Sequence, residues 1–154
     1  MATQYTAGLS NGQVLTAATM NSIGAAWESW TPMLTNATVG NGTIVGAYTR
    51  INKLVVARWV FTLGSTSSVS NYIAATLPVT AASGVFSGNV IYQDASPSAS
   101  YPGYIDPSSG TTLIVIGSLN AAGTFVVGSG LSPTVPFTWT TNDKIIVQIT
   151  YEAA

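Results

Sequence analysis

The sequence predicts an all-β protein, an antiparallel β-sandwich that follows a short N-terminal arm and one helix. Two observations carry this prediction. Short apolar runs with alternating polar residues recur along most of the chain, and stretches rich in Gly, Ser, Pro and Asn separate them. Helical spacing occurs in one stretch only, residues 16–30. We therefore expect an arm over 1–15, a helix over 16–30 and a β-sandwich domain over 31–154.

Composition limits the classes of function. The chain has 154 residues, which suits one domain, and 47% of them are hydrophobic, which argues against disorder. Only 6% are charged, against about 25% in ordinary soluble domains. With a net charge of −1 the surface cannot attract nucleic acid or an anionic membrane, and it resists self-association weakly. We expect an assembled protein without nucleic-acid binding or membrane insertion.

The clearest local feature is a β-hairpin over residues 42–64. A two-residue turn at Asn52 and Lys53 would place Gly46 opposite Trp59, with room for the indole, although a longer loop is an alternative. One face of this hairpin suits a core: Ile44, Tyr48, Val55, Ala57, Trp59, Phe61 and Leu63. The other face is too apolar for free solvent, so a second sheet or another subunit should cover it: Val45, Ala47, Thr49, Ile51, Leu54, Val56, Arg58 and Val60.

Alternating patterns predict further strands at residues 71–78, 85–93, 111–119, 124–127 and 144–151. Turn-forming residues separate these strands. Arg58, which lies on the apolar face of the hairpin, should have a carboxylate or carbonyl partner.

The predicted helix carries an apolar stripe along one face. Thr16 is a suitable N-cap, and the stripe consists of Met20, Ile23, Trp27 and Trp30. So short a helix is marginal in water unless the stripe is buried. It either folds onto its own sandwich or packs against other copies or other proteins. The polar residues 2–13 should form an extended arm that anchors on a neighbouring protein.

Catalytic, cofactor and metal sites are not expected. The chain has no histidine and no cysteine, and its five acids are scattered along the sequence. Asp94 and Asp106 could in principle lie about 5–9 Å apart, as glycosidases require. Both flank a Pro- and Ser-rich segment, however, where Asp commonly caps turns. A glycan-cleaving enzyme is therefore a distant alternative.

Residues 92–110 form the predicted loop with the most aromatic character. Tyr101 and Tyr104 flank a Pro-Gly pair, and Asp94 and Asp106 are close in sequence. Tyrosine rings beside carboxylates can stack on sugars and bind their hydroxyl groups, which makes these four residues candidate glycan contacts. The alternative is a rigid surface loop whose tyrosines pack on the sandwich.

Residues 12–68 resemble a segment that recurs in fibre, minor tail and related surface proteins of tailed bacteriophages. The likeness rests on the run LTAA and the following Met-Asn, the stretch from Trp27 to Pro32, and Gly-Thr leading into Tyr48 and Arg50. The C-terminal residues 136–154 resemble the ends of such domains. The matching motifs are structural rather than catalytic.

This resemblance implies a compact, often jelly-roll-like sandwich that assembles as a homotrimer on the phage particle after synthesis in the host cytoplasm. Only about 15 residues precede the predicted helix, so we expect a short spike or fibre. Its partners would be other virion proteins and a host surface glycan. The alternative is a capsid decoration or tail connector protein without a receptor.

Overall fold

The computed structural model describes residue 14 and residues 26–106, 109–122 and 124–154. All regular secondary structure in these residues is β-strand, which confirms the predicted all-β class. The strands are β1 (Glu28–Trp30), β2 (Leu34–Thr38), β3 (Thr43–Ile51), β4 (Leu54–Thr62), β5 (Ser68–Thr76), β6 (Ser87–Asp94), β7 (Ala99–Ile105), β8 (Leu113–Ala122), β9 (Phe125–Ser129) and β10 (Lys144–Glu152).

The strands form one antiparallel sheet, in the order β1-β3-β4-β10-β6-β7-β8-β5-β2, and β9 pairs with β8 beside this path. The sheet curls like half a barrel, so that one face encloses the core. Trp59 of β4, Ile149 of β10 and Ile116 of β8 belong to the same buried cluster. The prediction of a jelly-roll-like sandwich of two sheets is not confirmed, because hydrogen bonds join all the described strands into one sheet.

The hairpin prediction is confirmed in its register. Ile51 pairs with Leu54, so Asn52 and Lys53 form a two-residue turn, and Asn52 has a positive φ of 54°. Gly46 lies opposite Trp59 as predicted. The inner face is also as predicted: Val55, Ala57, Trp59, Phe61 and Leu63 are buried, and Ile44 and Tyr48 pack against them.

Gly46 is glycine mainly because of β1. A Cβ at this position would lie 2.4 Å from the carbonyl oxygen of Trp30, whereas the nearest atom of Trp59 would be 3.3 Å away. The short strand β1, which the sequence did not predict, therefore approaches Gly46 more closely than the indole of Trp59 does.

The prediction of a loop over residues 92–110 is wrong for its central part. Strand β6 continues to Asp94 and β7 begins at Ala99, so a tight turn joins two strands of a hairpin. Ser98 in this turn has a φ of 54°. The Ser- and Pro-rich composition led to the prediction of a loop where β7 lies, because proline is uncommon within strands and β7 contains Pro102. The other predicted strands are present, with ends shifted by a few residues.

The predicted helix is not seen. Glu28–Trp30 form β1, paired with Gly46–Tyr48, and residues 26–27 have no regular secondary structure. Backbone pairing with β3 replaces helical hydrogen bonds here, and Trp30 packs against the core. Residues 15–25 lie outside the described residues, and so do the N-cap Thr16, the stripe residues Met20 and Ile23 and the arm over 2–13.

Candidate functional site

Of the four candidate glycan contacts, two lie on opposite faces of the sheet. Tyr101 and Tyr104 are three residues apart on β7, and neighbouring side chains of a strand alternate between faces. Tyr101 points inward, where its ring centroid lies 5.0 Å from that of Phe137. Tyr104 lies on the outer face, and its hydroxyl group donates a hydrogen bond to Oδ2 of Asp106 at 2.9 Å.

Asp94 lies at the other end of the β6–β7 hairpin. Its Oδ1 accepts a hydrogen bond from the backbone N–H of Ser96 at 3.1 Å, so it caps the turn. Asp94 pairs with Ala99 and Asp106 follows β7, which places about 20 Å of strand between the two acids. That separation is too large for the paired carboxylates of a glycosidase. The structure thus brings together Tyr104 and Asp106 but neither Tyr101 nor Asp94.

A third residue that the sequence did not indicate completes this site. Tyr72 of β5 reaches across β8, and its hydroxyl oxygen lies 3.5 Å from that of Tyr104. We call Tyr72, Tyr104 and Asp106 the tyrosine patch. The sequence did not indicate that Tyr72 contacts Tyr104, because the two residues are more than 30 positions apart.

Glycines form the floor of the tyrosine patch. Gly117 of β8 pairs with Tyr104, and a Cβ on it would lie 2.7 Å from both the Tyr72 and the Tyr104 ring. A Cβ at Gly128 would lie 2.6 Å from the Tyr104 ring. The two rings can lean over the sheet because these strand positions have no side chain.

The hydroxyl group of Tyr104 remains protonated at ordinary pH. Desolvation, followed by the hydrogen bonds with Tyr72 and Asp106, raises the pKa of Tyr104 well above its usual range. Tyr104 therefore donates to the Asp106 carboxylate. The site combines two aromatic rings, a carboxylate and hydroxyl groups, which is the chemistry that binds a sugar by stacking and by hydrogen bonds to its hydroxyl groups.

The second surface feature is an apolar row on the outer face of the other half of the sheet. Cross-strand pairing aligns its five members: Val45 of β3, Val60 of β4, Ile146 of β10, Ile91 of β6 and Pro102 of β7. Val45 is 70% exposed and Ile91 is 40% exposed. A second sheet was one predicted cover for this face, but no such sheet is present in the described part of the chain.

Arg58 lies beside the apolar row and differs from the prediction in its partner. Its guanidinium carbon lies 4.6 Å from the centroid of the Trp27 ring, which is a cation–π contact rather than the expected bond to a carboxylate or carbonyl. Trp27 is half exposed on the outer face, while Trp30 packs inward. The two tryptophans of the predicted stripe therefore lie on different faces of the sheet.

Asp143 is a structural residue rather than a recognition residue. It is fully buried, and its Oδ1 accepts a hydrogen bond from the Ala95 N–H at 2.9 Å. Its Oδ2 accepts from the backbone N–H and the hydroxyl group of Thr140. The carboxylate thus joins the β6–β7 turn to the turn before β10.

Two further acids each have a partner elsewhere in the chain. Glu28 accepts a hydrogen bond from the Tyr48 hydroxyl group at 2.6 Å, which lowers the pKa of Glu28. Glu152 forms an exposed ion pair with Lys53 at 3.2 Å. In the described residues no group of three or more His, Cys, Asp or Glu side chains could hold a metal ion.

Comparison of the chain with protein-family models, with curated proteins and with solved structures finds no match. Within the described residues, no helix is long and apolar enough to span a membrane.

Proposed function

We propose that this protein is a structural component of a bacteriophage virion, a trimeric short fibre or spike on the particle surface that contacts a host surface glycan. The exposed apolar row supports the proposal that the protein assembles. The chain also has only four basic and five acidic residues. So continuous an apolar surface marks an interaction site, because few charges are available to keep it apart from other molecules. The assignment to a virion rests on the resemblance of residues 12–68 and 136–154 to phage surface proteins.

The host contact is assigned to the tyrosine patch. Tyr72 and Tyr104 offer aromatic surface, and Asp106 offers carboxylate oxygens at the same place. Tyr101 and Asp94 are left out of this proposal because Tyr101 packs against Phe137 and Asp94 caps a turn.

Two measurements test the proposal. Gold-labelled antibodies against the protein should bind intact particles in electron micrographs. The purified protein should bind host cells, and the double variant Tyr104→Phe/Asp106→Asn should reduce that binding at least tenfold. The matched control is Tyr48→Phe/Glu28→Gln, which removes the other tyrosine–carboxylate hydrogen bond of the described chain. Unlabelled particles would refute the virion assignment, and unchanged binding by the patch variant would refute the glycan contact.

A second candidate is a capsid decoration or tail connector protein without a receptor role. The apolar row favours it, since a surface that crosses five strands can dock on another virion protein as well as on a second copy. Labelled particles together with no binding of the wild-type protein to host cells would select this candidate.

A further inference from the structure

The tyrosine patch continues into an open cleft at the end of β7. Asp106, which accepts the hydrogen bond of Tyr104, also lines this cleft, together with Gly84, Val85, Phe86 and Ile105. We call it the Asp106 cleft. Its volume of about 310 Å³ lies at the lower end of the range of ligand sites, roughly 300–1,000 Å³. A ligand that reaches the Asp106 carboxylate from the patch can therefore place one small group in the cleft.

The side chains that line the cleft beside Asp106 are apolar, and the fold holds two of them in place. The ring of Phe86 makes an edge contact with the ring of Tyr151, with 5.5 Å between the centroids. Ile105 packs against the core. Val85, by contrast, is 76% exposed. An apolar group of a ligand that covers Val85 removes this surface from water, which favours binding.

The main chain of Asp106 is fixed at the junction of patch and cleft. Its N–H donates a hydrogen bond to the carbonyl oxygen of Val115 at 2.8 Å. Its carbonyl oxygen accepts from the N–H of the buried Ser109 at 3.0 Å and from the Ser109 hydroxyl group at 2.7 Å. Because these bonds exist before a ligand arrives, little ordering of Asp106 is needed on binding.

The charge around Asp106 selects against an acidic ligand. Strands β5, β7 and β8 and the five residues of the cleft contain no lysine or arginine. A sugar acid would bring a second carboxylate to Asp106 without a cation of these segments to offset it, and juxtaposed like charges are unfavourable. A protonated amino sugar would pair with Asp106, but it would leave the apolar wall uncovered. The cleft therefore favours a neutral group.

We propose that the tyrosine patch and the Asp106 cleft together bind an N-acetylhexosamine unit of the host glycan. The proposal rests on the proposed glycan contact and names the class of sugar. The pyranose ring lies on Tyr72 and Tyr104, whose rings form one aromatic surface because both lie over Gly117. The N–H of the acetamido group donates to the Asp106 carboxylate, which has about four acceptor sites and so can accept more than the bond from Tyr104. The methyl group enters the cleft beside Val85.

The first test compares sugars that differ at one substituent. The probes are the methyl glycosides of glucose, galactose, their amines and their N-acetylated amines, and of glucuronic acid, and binding per protomer is measured by ligand-observed NMR. At least one N-acetylhexosamine should bind at least fivefold more tightly than its parent hexose and its free amine, and glucuronic acid should bind more weakly than glucose. N-acetylhexosamines that bind no better than their hexoses, or tighter binding of the acid or an amine, would overturn the proposal.

The second test changes the cleft wall. Val85→Asp should raise the dissociation constant of the preferred glycoside at least tenfold, whereas Val85→Ile, which keeps the wall apolar, should stay within threefold of wild type. The matched control is Val45→Asp, since Val45 is 70% exposed and lies on the apolar row outside the cleft. The control should bind as wild type does, because one chain forms the whole site. Circular dichroism checks that all three variants are folded, and equal affinities of wild type and Val85→Asp would refute the placement of the acetamido group.

The outcomes separate this inference from the proposed function. Wild-type protein that binds host cells and sugars without preference for an acetamido group would refute the sugar class but keep the glycan contact. Cell binding that protease treatment of the host cells abolishes, and that none of the glycosides reduces, would indicate a protein receptor and refute both. Wild-type protein that binds neither cells nor glycosides would also refute both.

Discussion

Replacement of Asp143 by Asn tests the idea that a single buried carboxylate joins two turns of the fold. The two oxygens of Asp143 accept hydrogen bonds from Ala95 and Thr140, and the side chain is fully buried. An asparagine has one carbonyl oxygen in place of two carboxylate oxygens. Whichever way the amide is turned, its NH₂ group faces a backbone N–H that needs an acceptor.

The size of the effect follows from that mismatch. A hydrogen bond to a charged group contributes about 1.5–3 kcal/mol, and a buried donor without a partner costs about 1–3 kcal/mol. Part of the lost stability is regained because the neutral amide avoids the unfavourable burial of a carboxylate. We expect Asp143→Asn to lower the free energy of unfolding by about 2–4 kcal/mol. For a domain of this size that lowers the melting temperature by about 5–15 °C.

The assay is thermal unfolding followed by circular dichroism, at one protomer concentration because assembly changes the apparent stability. The control is Asp94→Asn at the same turn. Asp94 is partly exposed and accepts a hydrogen bond from the backbone N–H of Ser96, which an amide oxygen can also accept. This control should stay within about 1 kcal/mol of wild type. Equal melting of Asp143→Asn and wild type would refute the reasoning, and so would an equal loss in Asp94→Asn.

Three other substitutions test the core. Trp59→Ala should lower the free energy of unfolding in denaturant by about 3–5 kcal/mol because the indole is fully buried, and a midpoint near that of wild type would place it outside the core. Gly46→Ala should displace β1 from the sheet, since its Cβ would lie 2.4 Å from the Trp30 carbonyl oxygen; unchanged hydrogen exchange of β1 would contradict this. Burial raises the pKa of Tyr92 far above 10, so the unfolded state releases this proton first and stability falls as the pH rises above 10. Tyr92→Phe should therefore lose less stability than wild type between pH 8 and pH 11, and equal losses would count against a buried hydroxyl.

The fold could be predicted where the sequence pattern and the local geometry agree. In the hairpin of β3 and β4, fully buried residues alternate with more exposed ones along β4 and an Asn occupies the turn, and the observed register is the predicted one. The pattern could not show that the sheet is continuous, because β10 joins β4 to β6 from a distant part of the chain. Alternation of apolar and polar residues shows which face of a strand is buried. The same face is buried in a curled sheet and in a sandwich, so the pattern does not distinguish the two folds.

The helix prediction went wrong at its C-terminal end for a related reason. The spacing of Trp27 and Trp30 fits a helix face, but Glu28–Trp30 pair with β3 and Trp30 packs on the core. Trp27 precedes this strand and lies against Arg58 on the outer face. A spacing of three is compatible with both arrangements. Only the tertiary contact with Gly46 decides between them.

The candidate site was predictable in part. Asp106 directly follows β7 and lies two residues after Tyr104, so both side chains point to the same face, and their hydrogen bond follows from the sequence once β7 is recognised. Tyr101, three residues before Tyr104, must point the other way. Tyr72 could not be predicted, because it reaches Tyr104 only across β8, over Gly117.

The residues that stabilise the fold and most of the residues proposed to bind partners lie on opposite faces of the curled sheet. The largest buried side chains, among them Trp59, Phe61 and Ile116, point to the inner face, where they form one cluster. The tyrosine patch and the apolar row lie on the outer face. Substitutions on the outer surface therefore remove little of the core, and surface changes away from special features cost within about 0.5 kcal/mol. For this reason a loss of cell binding in the patch variant reports on the surface that was changed, whereas Asp143→Asn and Trp59→Ala report on the fold beneath it.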